Sequence, residues 1–262
     1  MKVLDRKANP PIVDAVNFKL NLKPYQKFVL DNGVEVYAVD AGAEEVLQTE
    51  WIFSAGNAQE DKNLVAATTN FLLRNGTSTK TAFQINEQFD YFGSYINRAC
   101  YNETATITLH SLTRHINELL PLVRELITDS VLPQEELSIY QQNMKQRLKV
   151  SLKKSDFVAG RLIDVYLYGE KHPYGKYSSA EDFDALKREE LLDFYKKYYQ
   201  EGKLVMFVAG KLPQNLEQLL NTNFGDLPFG NVIEKETAAI LGTEKKVRIT
   251  NDPDGAQGSI RI

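Results

Sequence analysis

The first quarter of the chain alternates apolar and polar residues in the manner of β-strands. Residues 28–30 and 34–39 flank the turn sequence Asp-Asn-Gly, and an Asn-Gly pair between two alternating runs predicts a tight hairpin. Residues 46–53 predict a third strand. The pattern then changes to a helical period that Gly76 ends. The apolar stripe of this predicted helix contains Leu64, Ala67, Thr68, Phe71 and Leu72.

The rest of the chain mixes helical and strand patterns without a strict order. The predicted helices cover 82–92, 115–130, 133–154, 156–168, 188–199 and 215–221. The predicted strands cover 94–100, 104–110 and 204–210, and the last is apolar throughout, which predicts a fully buried strand. Strands gathered around several helices indicate an α+β fold, with one mixed, mostly antiparallel sheet and helices packed on one face.

The apolar pattern fades between residues 229 and 244, which predicts a linker. Residues 245–250 and 258–262 again resemble strands, and the chain stops within the second of them. A strand without a partner is not stable alone. We therefore expect one domain over 1–230, followed by a linker and the first strand or strands of a truncated second domain over 231–262.

The amino-acid composition excludes several classes of function for this chain. The formal net charge is −4, which argues against nucleic acid as a partner. The mean hydropathy is −0.36 and no long uncharged apolar run occurs, so we expect no transmembrane helix. The first residues lack the apolar segment of a signal peptide, which favours the cytoplasm but leaves the compartment open. One cysteine and three histidines restrict metal chemistry.

Several segments in order resemble the insulinase/pitrilysin family of zinc peptidases, whose smaller members include the mitochondrial processing peptidase subunits. The resemblance is carried by FVLDNGVEVYAV, WIFSAGNAQED, RNGTSTKT, FDYFGSYINRACYNETATITLHSL, LPQEEL, GEKHPYGK, REELLDFYKKYY, LVMFVAG and GAQGSIRI. It covers nearly the whole chain. It implies that residues 1–230 form the N-terminal peptidase-like domain of a member of this family.

In active members, the helix that ends at this Gly-Thr carries an inverted motif, His-x-x-Glu-His. Two histidines at i and i+4 lie on one helical face and both reach a zinc ion. The glutamate activates the zinc-bound water as general base, and a second glutamate about 75 residues downstream completes the ligand set. The resemblance therefore locates four positions at which this chain can be compared with an active enzyme.

This sequence departs from the motif at all four positions. The histidine positions fall on Ala67 and Phe71, and the general-base position falls on Asn70. The downstream window falls on 146–149, and no glutamate occurs between Glu136 and Glu170. The absence does not depend on the register, because no His-x-x-x-His occurs anywhere in the chain. We expect no zinc site, with Ala67 and Phe71 in the helix core and Phe71 filling the space of the metal.

Other candidate residues have structural explanations. His110 and His115 are a conceivable metal pair, although a strand end and a helix start explain them as well. His172 lies in a His-Pro-Tyr-Gly turn to which we assign no catalytic role. Cys100 has no neighbour in the sequence that predicts a reactive thiol. Each of these residues is therefore expected to be structural.

The strand 94–100 matches the edge strand that pairs with extended peptide substrates in active relatives. Edge pairing uses main-chain groups, so it can survive the loss of the metal. This predicts peptide binding through Tyr95, Asn97 and Ala99. Arg98 departs from the family pattern, because it interrupts the usual Asn-Ala pair after Asn97.

The resemblance leads to a first hypothesis, a non-catalytic subunit that forms part of a peptide-binding chamber. It implies pairing with a homologous zinc-bearing subunit or a homodimer, possible binding of an extended peptide, and zinc only in the partner. Two alternatives stay open at this point. One is an active metallopeptidase with a non-standard metal site, and the other is a stand-alone peptide-binding or scaffolding domain.

Overall fold

The computed structural model describes residues 23–230, 235, 247, 249–250 and 258–261. This part of the chain contains six strands and eight helices. The strands are β1 (Gln26–Val29), β2 (Glu35–Asp40), β3 (Val46–Phe53), β4 (Tyr95–Cys100), β5 (Ala105–Leu112) and β6 (Leu204–Gly210). The helices are α1 (Val65–Leu72), α2 (Ala82–Tyr91), α3 (Ile116–Asp129), α4 (Gln134–Ser151), α5 (Ser155–Tyr168), α6 (Ala180–Ala185), α7 (Arg188–Tyr195) and α8 (Leu216–Phe224).

The six strands form one sheet in the order β1-β2-β6-β3-β5-β4. Strands β2 and β6 run parallel, and the other neighbouring pairs run antiparallel. The predicted hairpin is present, with Val29 opposite Glu35. The expected α+β fold with a mixed, mostly antiparallel sheet is therefore confirmed. Strand β4 lies at one edge of this sheet and β1 at the other.

Helices cover one face of the sheet and form the hydrophobic core with it. Trp51 on β3 is completely buried and its ring centre lies 5.4 Å from that of Phe224 on α8. The ring centre of Phe53, on the same strand, lies 4.8 Å from the ring centre of Tyr199, which follows α7. The central strand thus joins helices from the last third of the chain to the sheet.

The prediction that β6 is buried on both faces is wrong. Met206 and Val208 are buried, whereas Phe207 is 43% exposed. Because helices cover only one face, the alternate residues of β6 point to the open face. There the ring of Phe207 stacks on Tyr37 of β2 at 5.1 Å.

Several helix ends differ from the predicted ones. Helix α4 ends at Ser151, and α5 begins at Ser155 after a short break. Helix α7 continues as a π-helical turn over Lys196–Gln200, which places Tyr199 in the core. Helix α8 extends to Phe224, three residues beyond the predicted end.

Residues 258–261 of the predicted strand 258–262 have no regular secondary structure, and residue 262 lies outside the described residues, so this strand stays a prediction. Of the predicted strand 245–250, only 247, 249 and 250 are described, and these are not in a strand either. Val247 and Ile249 are 90% and 89% exposed, so no neighbouring strand of the described sheet covers them. The division at residue 230 stays a prediction.

Within the described residues, no helix is both long and apolar enough to cross a membrane.

Candidate functional site: the junction of α1 and β4

Helix α1 lies against β4 and β5, at the place where the sequence resemblance locates the catalytic helix. The helix begins without a capping side chain of its own N-cap residue, Leu64, which has a left-handed backbone with φ of 73°. The buried carboxylate of Glu60 caps it instead. It accepts hydrogen bonds from the backbone N–H of Leu64 at 3.2 Å and of Ala66 at 2.9 Å. Free N–H groups at a helix start favour a carboxylate there.

Burial raises the pKa of Glu60 to about 7, and the two backbone hydrogen bonds and the charges of Lys176 and Lys235 oppose this rise only in part. Glu60 was not singled out from the sequence. The signal that could have found it is an acidic residue a few positions before a helix that starts without Ser, Thr, Asp or Asn.

The predicted core face of α1 is wrong for Ala67 and Phe71, whereas its members Thr68 and Leu72 are buried. Phe71 is 38% exposed, and Ala67 is only half-buried. Helix α1 packs against both the sheet and α7, so most of its circumference is buried and no single apolar stripe marks the core. The buried residues of this helix are Val65, Ala66, Thr68, Thr69, Asn70 and Leu72.

Asn70, at the position of the family's general base, is a structural residue. Its side-chain amide donates hydrogen bonds to the backbone carbonyl of Thr106 on β5 at 3.2 Å and to the hydroxyl of Tyr199 at 3.0 Å. Burial raises the pKa of Tyr199 well above its ordinary value, so the hydroxyl stays protonated. A carboxylate could not donate to the Thr106 carbonyl, which explains why an amide suits this position.

Arg98 of β4 extends under the exposed ring of Phe71. Its guanidinium carbon lies 5.0 Å from the ring centre, and the guanidinium donates a hydrogen bond to the Phe71 carbonyl. Tyr140 of α4 packs on the same ring at 4.7 Å. Burial and the neighbouring charge of Arg74 lower the pKa of Arg98 to about 10, so the group is still a cation at neutral pH.

The residues at this junction do not fit zinc. Ala67 and Phe71 offer no ligand atom, and the neutral carboxamide of Asn70, oriented by its two donated hydrogen bonds, is not among the His, Cys, Asp and Glu ligands that zinc sites use. The cation of Arg98 further disfavours a divalent ion beside it. No group of three or more His, Cys, Asp or Glu residues that could hold a metal occurs among the described residues. Residues 146–149 lie on α4 and likewise supply no carboxylate.

The structure gives His110 and His115 separate surroundings. The ring of His110 stacks on Tyr95 at 4.5 Å on the open face of the sheet. His115 Nε2 accepts a hydrogen bond from Arg114 at 3.1 Å and its ring lies 5.3 Å from that of Phe92.

Cys100 and His172 also have structural surroundings. Burial, with a contribution from Glu60, raises the pKa of the Cys100 thiol to about 12, so it is not a thiolate at neutral pH. His172 is buried, stacks on Tyr168 at 5.3 Å, and its Nδ1 accepts from the backbone N–H of Tyr174 at 3.2 Å. These contacts hold the turn together.

The register of β4 determines which of its main-chain groups face the open edge. Tyr101 N–H donates to the Thr104 carbonyl at 2.7 Å, and hydrogen-bonded pairs alternate along an antiparallel ladder. The main-chain groups of Tyr95, Asn97 and Ala99 therefore point towards β5. Those of Ile96, Arg98 and Cys100 point outwards, in agreement with the hydrogen bond from Arg74 to the Ile96 carbonyl at 3.2 Å.

Comparison with known proteins gives relatives of this chain in sequence and in fold. Residues 185–262 match the family described as Peptidase M16 inactive domain. An uncharacterized zinc protease of Rickettsia felis is 26% identical over 189 residues, which cover 64% of this chain and 46% of the relative. The mitochondrial-processing peptidase subunit beta of Rattus norvegicus is 21% identical over 244 residues, covering 87% of this chain and 48% of the relative.

Solved structures share the fold. A peptidase M16 inactive domain from Pseudomonas fluorescens superposes with a TM-score of 0.75 at 24% identity, over 82% of this chain and 54% of that one. The periplasmic protease PqqL from Escherichia coli superposes with a TM-score of 0.69 at 16% identity, over 82% of this chain and 25% of that one. The chain spans about half the length of the curated relatives that it matches.

Together with the ordered motifs, these similarities confirm the resemblance to the insulinase/pitrilysin family of peptidases. The chain shares the fold of a peptidase M16 inactive domain and is similar in sequence to M16-type zinc proteases and processing-peptidase subunits.

Proposed function

We propose that this chain is a non-catalytic part of an M16 protein that binds an extended peptide along β4 and forms part of a peptide-binding chamber. In this proposal, residues 1–230 are the peptidase-like domain and residues 231–262 lead into a second domain. A homologous subunit that bears zinc is the proposed partner, and the zinc belongs to that partner alone. One similar protein, the rat processing peptidase chain, is itself named as a subunit.

The observation that carries the proposal is the position of Arg98. Its cation lies beside Phe71, one of the helix positions that the resemblance aligns with the zinc ligands of active relatives. Two features oppose zinc binding at this junction. The side chains at the aligned positions cannot ligate a metal, and a positive charge lies beside them. The edge strand that binds peptide in active relatives does not require the metal, so this chain can use β4 in the same way.

The edge of β4 supports peptide binding because its outward groups lack a strand partner within residues 23–230. Ile96, Arg98 and Cys100 direct their main-chain groups outwards, and an added strand pairs with such groups. The side chains of Tyr95, Asn97 and Ala99 project from the opposite side of the strand, on the open face. Tyr95 is 54% exposed, so its ring is available to a peptide side chain.

The first test is metal content, measured by mass spectrometry on protein purified without a histidine tag, together with a general peptidase assay. We expect zinc far below one ion per chain and no cleavage that a chelator abolishes. Stoichiometric zinc, lost on replacing His110 and His115, would overturn the non-catalytic assignment. A second preparation purified with added zinc is the control, because it shows whether a low zinc content results from loss of the ion during purification.

The second test measures peptide binding by fluorescence anisotropy with a labelled, neutral, extended peptide. We expect saturable binding that weakens about tenfold when alternate peptide nitrogens are methylated, because methylation removes main-chain donors. Tyr95→Ala should weaken binding. Tyr25→Ala is the matched control, because Tyr25 is 64% exposed next to the opposite sheet edge.

Two results would count against peptide binding at β4. Absence of saturable binding to the full chain and to its complex would remove the proposal. Equal effects of Tyr95→Ala and Tyr25→Ala would indicate that the peptide binds elsewhere.

A further inference from the structure

Two arginines lie at the junction of α1 and β4 without a carboxylate partner. Arg98 and Arg74 form no ion pair among the residues that the structure describes. Arg98 directs one hydrogen bond to the Phe71 carbonyl, and its Nε is buried with no hydrogen-bond partner. Arg74 donates to the Ile96 carbonyl, and Asp90 is the acidic residue whose charge reaches it.

A half-buried guanidinium whose buried Nε–H has no acceptor is an unusual arrangement. Guanidinium groups form their strongest contacts with carboxylates, which accept two parallel hydrogen bonds. A buried cation that lacks such a partner leaves an uncompensated desolvation cost. In the described part of the protein, the carbonyl and the ring of Phe71 are the groups that contact the Arg98 guanidinium. The pair of arginines is therefore complementary to an anionic group from outside the domain.

The position of Arg98 in β4 defines where that group would come from. Arg98 and Ile96 are two residues apart in β4, so their side chains lie on the same face of the sheet. This is the face that the helices cover. A residue on an added strand directly opposite Arg98 would point to the same side, with its Cβ about 5 Å from that of Arg98. A carboxylate on that residue is within reach of the guanidinium.

We propose that β4 selects extended peptides carrying an aspartate or glutamate at the position opposite Arg98, with Arg98 as the main carboxylate receptor and Arg74 as a second positive charge. This inference rests on the proposed peptide binding at β4 and specifies its ligand.

The geometry favours an internal acidic side chain over a peptide C-terminus. The outward main-chain groups of β4 continue on both sides of Arg98, at Cys100 and at Ile96, where Arg74 donates to one side of the carbonyl and a peptide N–H would share that acceptor. A peptide that pairs with this edge can therefore extend past Arg98 in both directions. Two residues away from its acidic residue, the bound peptide has a side chain that lies on the same face and opposite Ile96. An apolar residue at this peptide position would complete the recognised sequence.

The experiment compares three labelled peptides on the full chain by fluorescence anisotropy. Two are acetylated and amidated and differ only in a central Glu or Gln; the third has the Gln sequence with a free C-terminal carboxylate. We expect the Glu peptide to bind about tenfold tighter than the Gln peptide, with a preference that shrinks as salt concentration rises. The free C-terminal carboxylate should raise the affinity of the Gln peptide only slightly.

The matched variants are Arg98→Gln and Arg161→Gln. Arg161 also has a buried guanidinium nitrogen without a partner, but it lies on α5, next to Tyr177. Arg98→Gln should remove the preference for Glu, so that the Glu and Gln peptides bind this variant with affinities within about twofold of each other. Arg161→Gln should change neither. Far-ultraviolet circular dichroism confirms that both variants are folded.

The outcomes separate this inference from the function on which it rests. Equal binding of the Glu and Gln peptides to the wild-type chain overturns the inference and leaves peptide binding intact. Tighter binding of the free C-terminus than of the internal Glu overturns the assignment to a side chain. Absence of binding by all three peptides removes both the inference and the proposed peptide binding.

Discussion

Replacing Gly56 by alanine should lower the free energy of unfolding by about 3 kcal/mol, because the added methyl group meets backbone that cannot move aside. A Cβ at this position would lie 2.5 Å from the Asn102 carbonyl oxygen and 2.5 Å from the Thr104 nitrogen. Gly56 N–H also donates to the Glu103 carbonyl at 3.2 Å. The measurement is urea denaturation followed by circular dichroism.

The effect of Gly56→Ala should extend to the proposed peptide edge. Backbone hydrogen bonds from Asn57 to Tyr101 at 3.0 Å and from Ala58 to Asn102 at 2.7 Å join the same loop to the turn that follows β4. A displaced loop therefore shifts the end of β4. We expect Gly56→Ala to weaken peptide binding even at temperatures where the variant is folded.

Gly160→Ala is the matched control for Gly56→Ala. Gly160 lies within α5, and a Cβ there meets no atom within 4 Å. Because alanine favours helix more than glycine does, this variant should be more stable by up to ~1 kcal/mol. If both variants changed stability equally, the close approach at Gly56 would not be the cause.

The strands could be predicted from the sequence because period-2 alternation and one Asn-Gly pair locate them directly. Strand β3 is found with its predicted ends, 46 and 53. The burial of β6 could not be predicted in the same way. An apolar strand in a sheet with one open face has the same sequence pattern as a strand covered on both faces, and only the arrangement of helices separates the two.

The face of α1 was mispredicted for a related reason. The periodic positions Leu64, Ala67 and Phe71 suggested a core stripe, but polar Asn70 is buried and Phe71 is 38% exposed. Burial of Asn70 depends on acceptors supplied by Thr106 and Tyr199, which are distant in sequence. Periodicity in one helix carries no information on such partners.

The sequence predicts an absent metal motif, whereas it does not predict what lies at the junction instead. Arg98 is recognisable in the sequence only as an interruption of the family pattern in β4. Its contact with Phe71 depends on how α1 lies across β4. The packing of α1 on the sheet therefore reveals a positive charge at the junction that the sequence pattern does not locate.

The stability of the folded domain should fall by about 3 kcal/mol between pH 5 and pH 8 because of Glu60 alone. Burial raises the pKa of this carboxyl from 4.5 to about 7. Between these two values the folded state holds a proton that the unfolded state has released, so raising the pH favours unfolding. Above the folded-state pKa the loss is complete, and below 4.5 it is absent.

Glu60→Gln tests this assignment by removing the titration while keeping an acceptor for the start of α1. The difference in unfolding free energy between pH 5 and pH 8 should shrink by about 3 kcal/mol relative to wild type, measured by urea denaturation at both pH values. Glu87→Gln, at an exposed position of α2, is the matched control and should retain the wild-type pH dependence. An unchanged pH dependence in Glu60→Gln would show that Glu60 is ionised in the folded state throughout this range. In that case the two backbone N–H groups of Leu64 and Ala66 would outweigh the burial of the carboxylate.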